Sequence, residues 1–96
     1  MMGKGTNPAR VLGKLRNWER NGDALDGVLY GHPVFADGQD HTTSVVRYTY
    51  TRGSKRYVRC LSCTYELDGP GDERGELFFA QKLQSTDERI RKGNVW

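Results

Sequence analysis

The residue types best able to do chemistry are concentrated in two short stretches of this sequence. The first, GHPVFADGQDHTTS at positions 31–44, contains both histidines of the chain, two aspartates and three hydroxyl side chains. The second, RCLSC at positions 59–63, contains both cysteines. Histidine and cysteine are common zinc ligands, and histidine beside an acid and a hydroxyl is the arrangement of many hydrolases.

A zinc centre would combine Cys60 and Cys63 with His32 and His41, which together form a complete tetrahedral ligand set. Such a site needs a tight turn between its paired cysteines, whereas these two lie in a run of strand-forming residues. Residues three apart in a strand point to opposite faces of the sheet. We therefore expect two packed or half-buried thiols, with no metal site, no redox pair and no cofactor.

A hydrolytic site would combine a histidine of the first stretch with Asp37, Asp40 or Ser44 as orienting group and nucleophile. Any polar turn of this length contains such residue types, and neither a nucleophile elbow nor a metalloprotease helix accompanies them. A structural loop explains the composition better, because glycine allows unusual backbone angles, proline stiffens a bend and hydroxyls bond local backbone. We expect no enzyme and no catalytic residue.

Arginine, lysine and tyrosine are interleaved between residues 46 and 60. This mixture neutralises phosphates and stacks on bases, which is typical of nucleic-acid contact. Two alternatives are a solvated edge hairpin whose charges discourage aggregation, and contact with an acidic protein. The candidate surface for nucleic acid or an acidic partner comprises Arg47, Tyr48, Tyr50, Arg52, Lys55, Arg56, Tyr57 and Arg59.

An acidic cluster follows around a glycine-rich segment. Carboxylates grouped in this way can imitate phosphates to a nucleic-acid-binding protein and steer association electrostatically. The alternative is a solvated loop. The candidate surface for a basic partner comprises Glu66, Asp68, Asp72, Glu73 and Glu76.

Charge is distributed in blocks along the chain, although the net charge is only +3. Segregation of this kind predicts faces that neutralise one another, or else one face for phosphates and another that repels them. The blocks are 1–22 with five basic and one acidic residue, 23–45 with four acidic, 46–65 with five basic, 66–88 with two basic and seven acidic, and 89–96 with three basic.

Ninety-six residues predict a single domain, 1–96, with one modest core. We expect residues 1–6 and 93–96 to be disordered. No stretch approaches the roughly 20 apolar residues that cross a bilayer. The first ten residues lack the apolar segment of a signal peptide. The expected location is the cytoplasm, with no membrane partner.

The beginning of the chain predicts a helix over about 8–20. Asn7 and Pro8 resemble an N-cap and first helical residue, and apolar side chains up to Trp18 recur at helical spacing. The alternative is a strand at 15–20 followed by a hairpin turn at Asn21 and Gly22.

The remainder predicts mainly strands. Leu25, Gly27 and Leu29 alternate with residues on the other face. Residues 42–51 and 56–67 predict a hairpin with its turn at 52–55, in which Val46, Tyr48 and Tyr50 share one face and residues 57, 59, 61, 63 and 65 another. Residues 75–84 predict a helix over the sheet, or a last strand, and 85–88 a short helical turn. The expected fold is α+β: a small twisted antiparallel sheet or partly open barrel, with an N-terminal helix and a C-terminal helical element.

The segment LDGVLYGHPVFADGQDHTTSVV at 25–46 resembles a pattern in short proteins of bacteria, their phages and prophages. The pattern runs Gly, a small hydrophobic residue, Tyr-Gly-His-Pro, an aromatic, Asp-Gly, then Thr-Ser-x-Val before a hairpin. It covers about a quarter of the chain. The matching residues are Gly27, Tyr30, Gly31, His32, Pro33, Phe35, Asp37, Gly38, Thr43, Ser44 and Val46.

The resemblance implies a context and transfers no catalytic residue. Small phage-type proteins in the bacterial cytoplasm commonly act by binding, including as inhibitors of host defence machinery such as CRISPR effector complexes. The leading hypothesis is therefore a non-enzymatic inhibitor of phage or mobile-element origin that contacts a host protein complex handling nucleic acid. The alternative is a small module that binds DNA or RNA directly through the arginine and tyrosine residues of the hairpin.

Overall fold

Two antiparallel three-stranded meanders, joined side by side, form the sheet of this protein. The computed structural model describes residues 9–84. The first meander comprises β1 (Val11–Asn21), β2 (Ala24–Tyr30) and β3 (Gln39–Thr42); the second comprises β4 (Val46–Arg52), β5 (Lys55–Cys60) and β6 (Thr64–Leu67). Strands β1 and β6 pair in parallel, which gives the order β3-β2-β1-β6-β5-β4. One helix, α1 (Glu73–Lys82), follows β6.

The predicted N-terminal helix is wrong: within residues 9–84 the chain begins with a strand that forms a hairpin with β2. Asn17 has a φ of 52°, and the register with β2 shifts between Arg16 and Glu19. This bulge turns Leu15 and Trp18, three residues apart, towards the same core. Apolar residues at helical spacing therefore arise here from an irregular strand.

The expected antiparallel sheet or partly open barrel is also wrong, because the sheet is mixed. Strand β1 is already paired with β2 on one edge, and its other edge is filled by β6 running in the same direction. The sheet is consequently mixed, with β3 and β4 at its two edges. At the β4 edge, the amide of Gln84 donates to the carbonyl of Thr49 at 2.8 Å, so the residues after α1 extend the sheet briefly.

The expected strand 56–67 is divided by a turn, because the amide of Cys60 donates to the carbonyl of Cys63 at 2.8 Å. As a result Tyr57 and Tyr65, predicted to share a face, lie on opposite faces. The expected strand 42–51 is likewise divided between β3 and β4. A register shift after Val46 turns that residue into the core and away from Tyr48 and Tyr50. The hairpin turn at 52–55 is confirmed.

Helix α1 packs over one face of the sheet, and the prediction of a C-terminal helix is confirmed. Asp72 caps it by accepting a hydrogen bond from the amide of Gly75 at 2.8 Å. Phe78 and Phe79 are buried, and the ring centroid of Phe79 lies 6.3 Å from that of Trp18. Burying each such side chain contributes roughly 1.5–3 kcal/mol. Helix and sheet therefore share one core.

Some predictions lie outside the described residues. These are the disorder of 1–6 and 93–96 and the short helical turn at 85–88. Within residues 9–84 no helix is long and apolar enough to cross a membrane.

Candidate functional site

The face of the sheet opposite α1, named here the open face, carries no described element. Arg56 and Leu67 are register partners, and Arg56 reaches α1 through Glu76. Tyr65 lies two residues before Leu67 and therefore on the same face, where it contacts His41. Helix α1 and the histidine-containing segment thus cover the same side. The side chains that alternate with these residues project from the open face.

Three tyrosines form a cluster on the open face. Tyr50 of β4 and Tyr57 of β5 are direct cross-strand partners, and their rings stack with centroids 5.0 Å apart and planes inclined by 13°. Tyr48 continues the cluster, with its centroid 6.1 Å from that of Tyr50. All three are half-buried. Burial raises the pKa of Tyr50, so its hydroxyl stays neutral at physiological pH.

Arginines flank this cluster. The guanidinium of Arg52 lies 5.8 Å from the ring centroid of Tyr50, and that of Arg59 lies 5.8 Å from the ring centroid of Tyr48. Arg59 Nη1 also donates to Tyr48 Oη at 3.2 Å, while its buried Nε has no hydrogen-bond partner among the described residues. A groove of about 460 Å³, the tyrosine groove, is lined by Ala9, Val11, Tyr48, Tyr50, Arg52, Arg59 and Gln84.

The predicted basic surface is only partly assembled. Arg56 faces the opposite side, where its guanidinium lies 5.1 Å from the ring of Trp18 and binds Glu76. Arg47 is exposed at the bulge between Val46 and Tyr48. The residues brought together on the open face are Tyr48, Tyr50, Arg52, Lys55, Tyr57 and Arg59.

The predicted acidic surface is dispersed, because its members bind different parts of the protein. Asp68 accepts from Arg16 Nε at 2.6 Å, and this hydrogen bond lowers the pKa of Asp68. Glu66 lies on the open face with one oxygen 4.0 Å from Lys55 Nζ. Glu76 binds Arg56, Asp72 caps α1, and Glu73 is exposed in the first helical turn. Basic blocks of the chain are thus partly neutralised by the acidic block 66–88.

A second groove on the open face was missed by sequence reasoning. It measures about 380 Å³ and lies over β1 and β2, so it is named the β1–β2 groove. The guanidinium of Arg16 covers the ring of Tyr30, 4.7 Å from its centroid. The alternation of residues 25–30 was the signal that placed Tyr30 opposite the core. Assigning 8–20 to a helix concealed the basic residues beside it. The lining residues are Val11, Gly13, Lys14, Arg16, Tyr30, Gly31 and Glu66.

The histidine-containing stretch is occupied by its own internal bonding. His32 Nδ1 accepts from the amides of Val34 at 2.9 Å and Phe35 at 3.3 Å. Gly31, with a φ of 74°, donates its amide to Asp37 Oδ1 at 2.8 Å. The His32 side chain therefore closes a bend that only glycine begins without strain. Four residues of the resemblance pattern thus act as loop-forming groups: Gly31, His32, Phe35 and Asp37.

The second histidine packs against the core. His41 Nε2 and Tyr65 Oη form a hydrogen bond of 3.0 Å. Phe35 lies between the two histidines, with ring centroids 4.8 Å from His32 and 5.6 Å from His41. Burial, followed by the nearby His32, lowers the pKa of His41. Ser44 Oγ is bonded to Ser62 Oγ at 3.0 Å.

Both cysteines are free and buried, as predicted, although the geometric reason given for this was wrong. Cys60 and Cys63 flank a tight turn rather than lying along one strand. Burial raises the pKa of Cys60 to about 11, which keeps it as a thiol. Within residues 9–84, no three His, Cys, Asp or Glu side chains are grouped closely enough to hold a metal ion.

The open face thus combines stacked tyrosines, flanking cations and two grooves. This geometry is the basis on which a function can be assigned. No protein-family model matches the chain, and no curated protein or solved structure matches it.

Proposed function

We propose that this protein binds single-stranded nucleic acid through its open face, without catalysing a reaction. The observation that carries the proposal is the stacked pair of Tyr50 and Tyr57 between the guanidinium groups of Arg52 and Arg59. Stacking of a base on an aromatic side chain contributes about 1–3 kcal/mol and tolerates any sequence. Adjacent cations attract the phosphates that connect the bases.

The arrangement favours a single strand over a duplex. Half-buried tyrosine rings offer flat apolar surface, and only an unpaired base can lie against it. A duplex presents its phosphates outward and keeps its bases stacked inside. It would engage the arginines while leaving the tyrosines unused.

Within residues 9–84, the arginines that flank the tyrosines are not paired with acidic groups. Among residues 9–84, neither Arg52 nor Arg59 lies within ion-pair distance of a carboxylate. By contrast Arg16, Lys55 and Arg56 each have an acidic neighbour at 2.6–4.0 Å. A phosphate approaching Arg52 or Arg59 therefore displaces no ion pair formed within the described part of the chain, and this lowers the cost of binding.

The alternative, inhibition of a host defence complex by protein contact, stays a prediction based on the resemblance. The phosphate mimicry it invoked would use the acidic cluster. Asp68 and Glu76 are engaged by arginines and Asp72 caps a helix, so the cluster presents no common surface. Geometry therefore favours the basic face as the contact. Action in the bacterial cytoplasm remains part of the proposal.

Fluorescence anisotropy with labelled single strands of about ten nucleotides tests the proposal. We expect binding to weaken steeply between about 50 and 200 mM salt, and Arg52→Gln to reduce the salt slope by about 1. Tyr57→Leu should weaken binding about 5- to 150-fold, the equivalent of one lost stacking contact. DNA, RNA and duplex probes are compared in parallel.

Arg74→Gln is the matched control, because it removes the same charge from an exposed position on α1, on the other side of the sheet. It should leave the affinity almost unchanged. Absence of binding at low salt would overturn the proposal. So would an Arg74→Gln effect equal to that of Arg52→Gln, since this would indicate attraction by net charge alone.

A further inference from the structure

We infer that the open face contains a second binding subsite, built from Lys14, Arg16 and Tyr30. The first subsite is the stacked pair of Tyr50 and Tyr57 with its flanking arginines. One single strand crosses the sheet from β4 to β2 and occupies both subsites. This inference rests on the proposed function and adds the path, the length and the second contact surface of the ligand. It is carried by the register of the strands, the continuity of the two grooves and the distribution of charge.

The strand register places the two subsites in one row. Tyr50 pairs with Tyr57, Tyr57 with Glu66, Glu66 with Lys14, and Lys14 with Tyr30. All five residues therefore project from the open face at the same level. The row spans four strand spacings, about 19 Å at roughly 4.8 Å each. A ligand lying on it runs across the strands.

The grooves adjoin at one residue. Val11 lines both the tyrosine groove and the β1–β2 groove, and this residue is 43% exposed. Because this residue borders both grooves, a chain leaving the tyrosine groove crosses β6 at Glu66 and enters the second groove over β1. An exposed valine at the junction offers apolar contact to a sugar or base.

The second subsite can perform the same two tasks as the first. The guanidinium of Arg16 lies over Tyr30 and is anchored by its Nε bond to Asp68 at 2.6 Å. A base can stack on the outer face of a guanidinium held in this way. Lys14 is exposed beside it and supplies an ammonium group for a phosphate. Stacking and charge neutralisation are thus repeated on β1 and β2.

An acidic region limits the path. Farther along β1 and β2, a third groove of about 300 Å³ is lined by three carboxylates, those of Glu19, Asp26 and Asp40. Phosphates are repelled there, so the ligand has no favourable route from Tyr30 towards the Asp26 end of the sheet.

At the roughly 3.4 Å rise of a stacked strand, the 19 Å row accommodates about five or six nucleotides.

Substitution of Glu66 distinguishes an effect of its charge on ligand binding from damage to the fold. Its carboxylate stands in the middle of the row between the subsites, and its side chain is 15% exposed. The nearest cation is Lys55, at 4.0 Å. A negative charge at this point opposes every phosphate that crosses the sheet. Removing it should strengthen binding, whereas damage to the fold would weaken it.

The experiment is a length series of labelled single strands of about three, six and nine nucleotides, titrated against the whole chain and three variants. For the unmodified protein we expect an affinity gain of about tenfold or more from three to six nucleotides and little from six to nine. Tyr30→Leu and Lys14→Gln should abolish most of that gain, while the shortest strand still binds at the first subsite. Glu66→Gln should raise affinity for the six-nucleotide strand about threefold or more.

Binding of the three-nucleotide strand serves as the internal control for folding, since the first subsite requires an intact sheet. If the unmodified protein binds but Tyr30→Leu has the same length profile, the second subsite is refuted and the proposed function stands. If Glu66→Gln still binds the three-nucleotide strand as the unmodified protein does but binds the six-nucleotide strand more weakly, the path across the row is refuted. If the unmodified protein binds no strand of any length, both the function and the subsite are refuted.

Discussion

Arg56 on β5 and Glu76 on α1 form a two-point ion pair, with Nη1 to Oε1 at 2.7 Å and Nη2 to Oε2 at 3.0 Å. The same guanidinium lies 5.1 Å from the ring centroids of both Trp18 and Phe79. Glu76 Oε2 also accepts the amide of Gly71 at 2.9 Å. One arginine of the basic hairpin is therefore used to fasten the helix to the sheet.

Glu76→Gln should lower the free energy of unfolding at pH 7 by about 1 kcal/mol. This is less than the roughly 1.5–3 kcal/mol of a buried hydrogen bond to a charged group, because the pair is partly exposed. The hydrogen bond from Arg56 lowers the pKa of Glu76 below 4.5. Stability from this carboxylate is thus present above 4.5 and is lost as pH falls through the lowered pKa. Urea unfolding of both proteins at pH 7 and pH 3 measures this, with Glu73→Gln as control. An equal loss in the control would contradict it.

Asn17 adopts a positive φ to form the bulge of β1. Two substitutions at this position should therefore show whether a change in stability comes from backbone strain or from the loss of side-chain contacts. Asn17→Gly should be neutral or stabilising by up to about 0.5–1 kcal/mol, because glycine takes this conformation freely. Asn17→Val should destabilise by about 1–2 kcal/mol, the cost of the left-handed region for a branched side chain. Thermal unfolding provides the measurement. Identical effects of the two substitutions would exclude strain as the cause.

His41 should make stability depend on pH. Its pKa is lowered below 6.5 in the folded protein, chiefly by burial, so the unfolded chain binds the proton more readily. Stability is therefore full above 6.5 and declines as pH falls from there through the lowered pKa. His41→Gln should flatten this part of the stability curve while keeping a polar group near Tyr65. Chemical unfolding at a series of pH values tests it, and an unchanged slope in the variant would assign the effect elsewhere.

Cys60 should react slowly in the folded protein. Burial raises its pKa from 9.0 to about 11. At a given pH below 9, the thiolate fraction is then roughly a hundredth of that of an ordinary thiol, and thiolate is the reactive form. Alkylation followed by peptide mass spectrometry should show slow labelling in buffer and fast labelling in denaturant. Equal rates in the two conditions would show that the residue is accessible in the folded state.

The sequence correctly predicted those strands and turns that depend only on residues close together in the chain. The alternation of residues 25–30 and the glycine turn at 52–55 appear in the structure as expected. Strand β1 was misassigned because its bulge at Asn17 imitates helical spacing. The turn between Cys60 and Cys63 was missed because Leu61 and Ser62 include no glycine, proline or asparagine. Sequence spacing alone does not report such irregularities.

The candidate site shows the same limit. Arginines and tyrosines of the hairpin were recognisable as a group, yet their distribution between the two faces depended on a register shift after Val46. Arg56 was included in the basic surface because its partner, Glu76, is 20 residues away and the ion pair is not visible in the local sequence. The β1–β2 groove depended on the pairing of β1 with β2. Contacts of this range depend on tertiary packing.

The parallel pairing of β1 with β6 has a consequence for how the chain folds. Each meander contains only neighbouring hairpins, whereas the seam joins residues such as Arg16 and Asp68 that are 52 positions apart. Closing so long a loop is the entropically costly step, and such contacts slow folding. During synthesis, the edge of β1 that pairs with β6 therefore stays unpaired until β6 has been made. The row of open-face residues proposed to bind a nucleic acid is completed only when this seam closes.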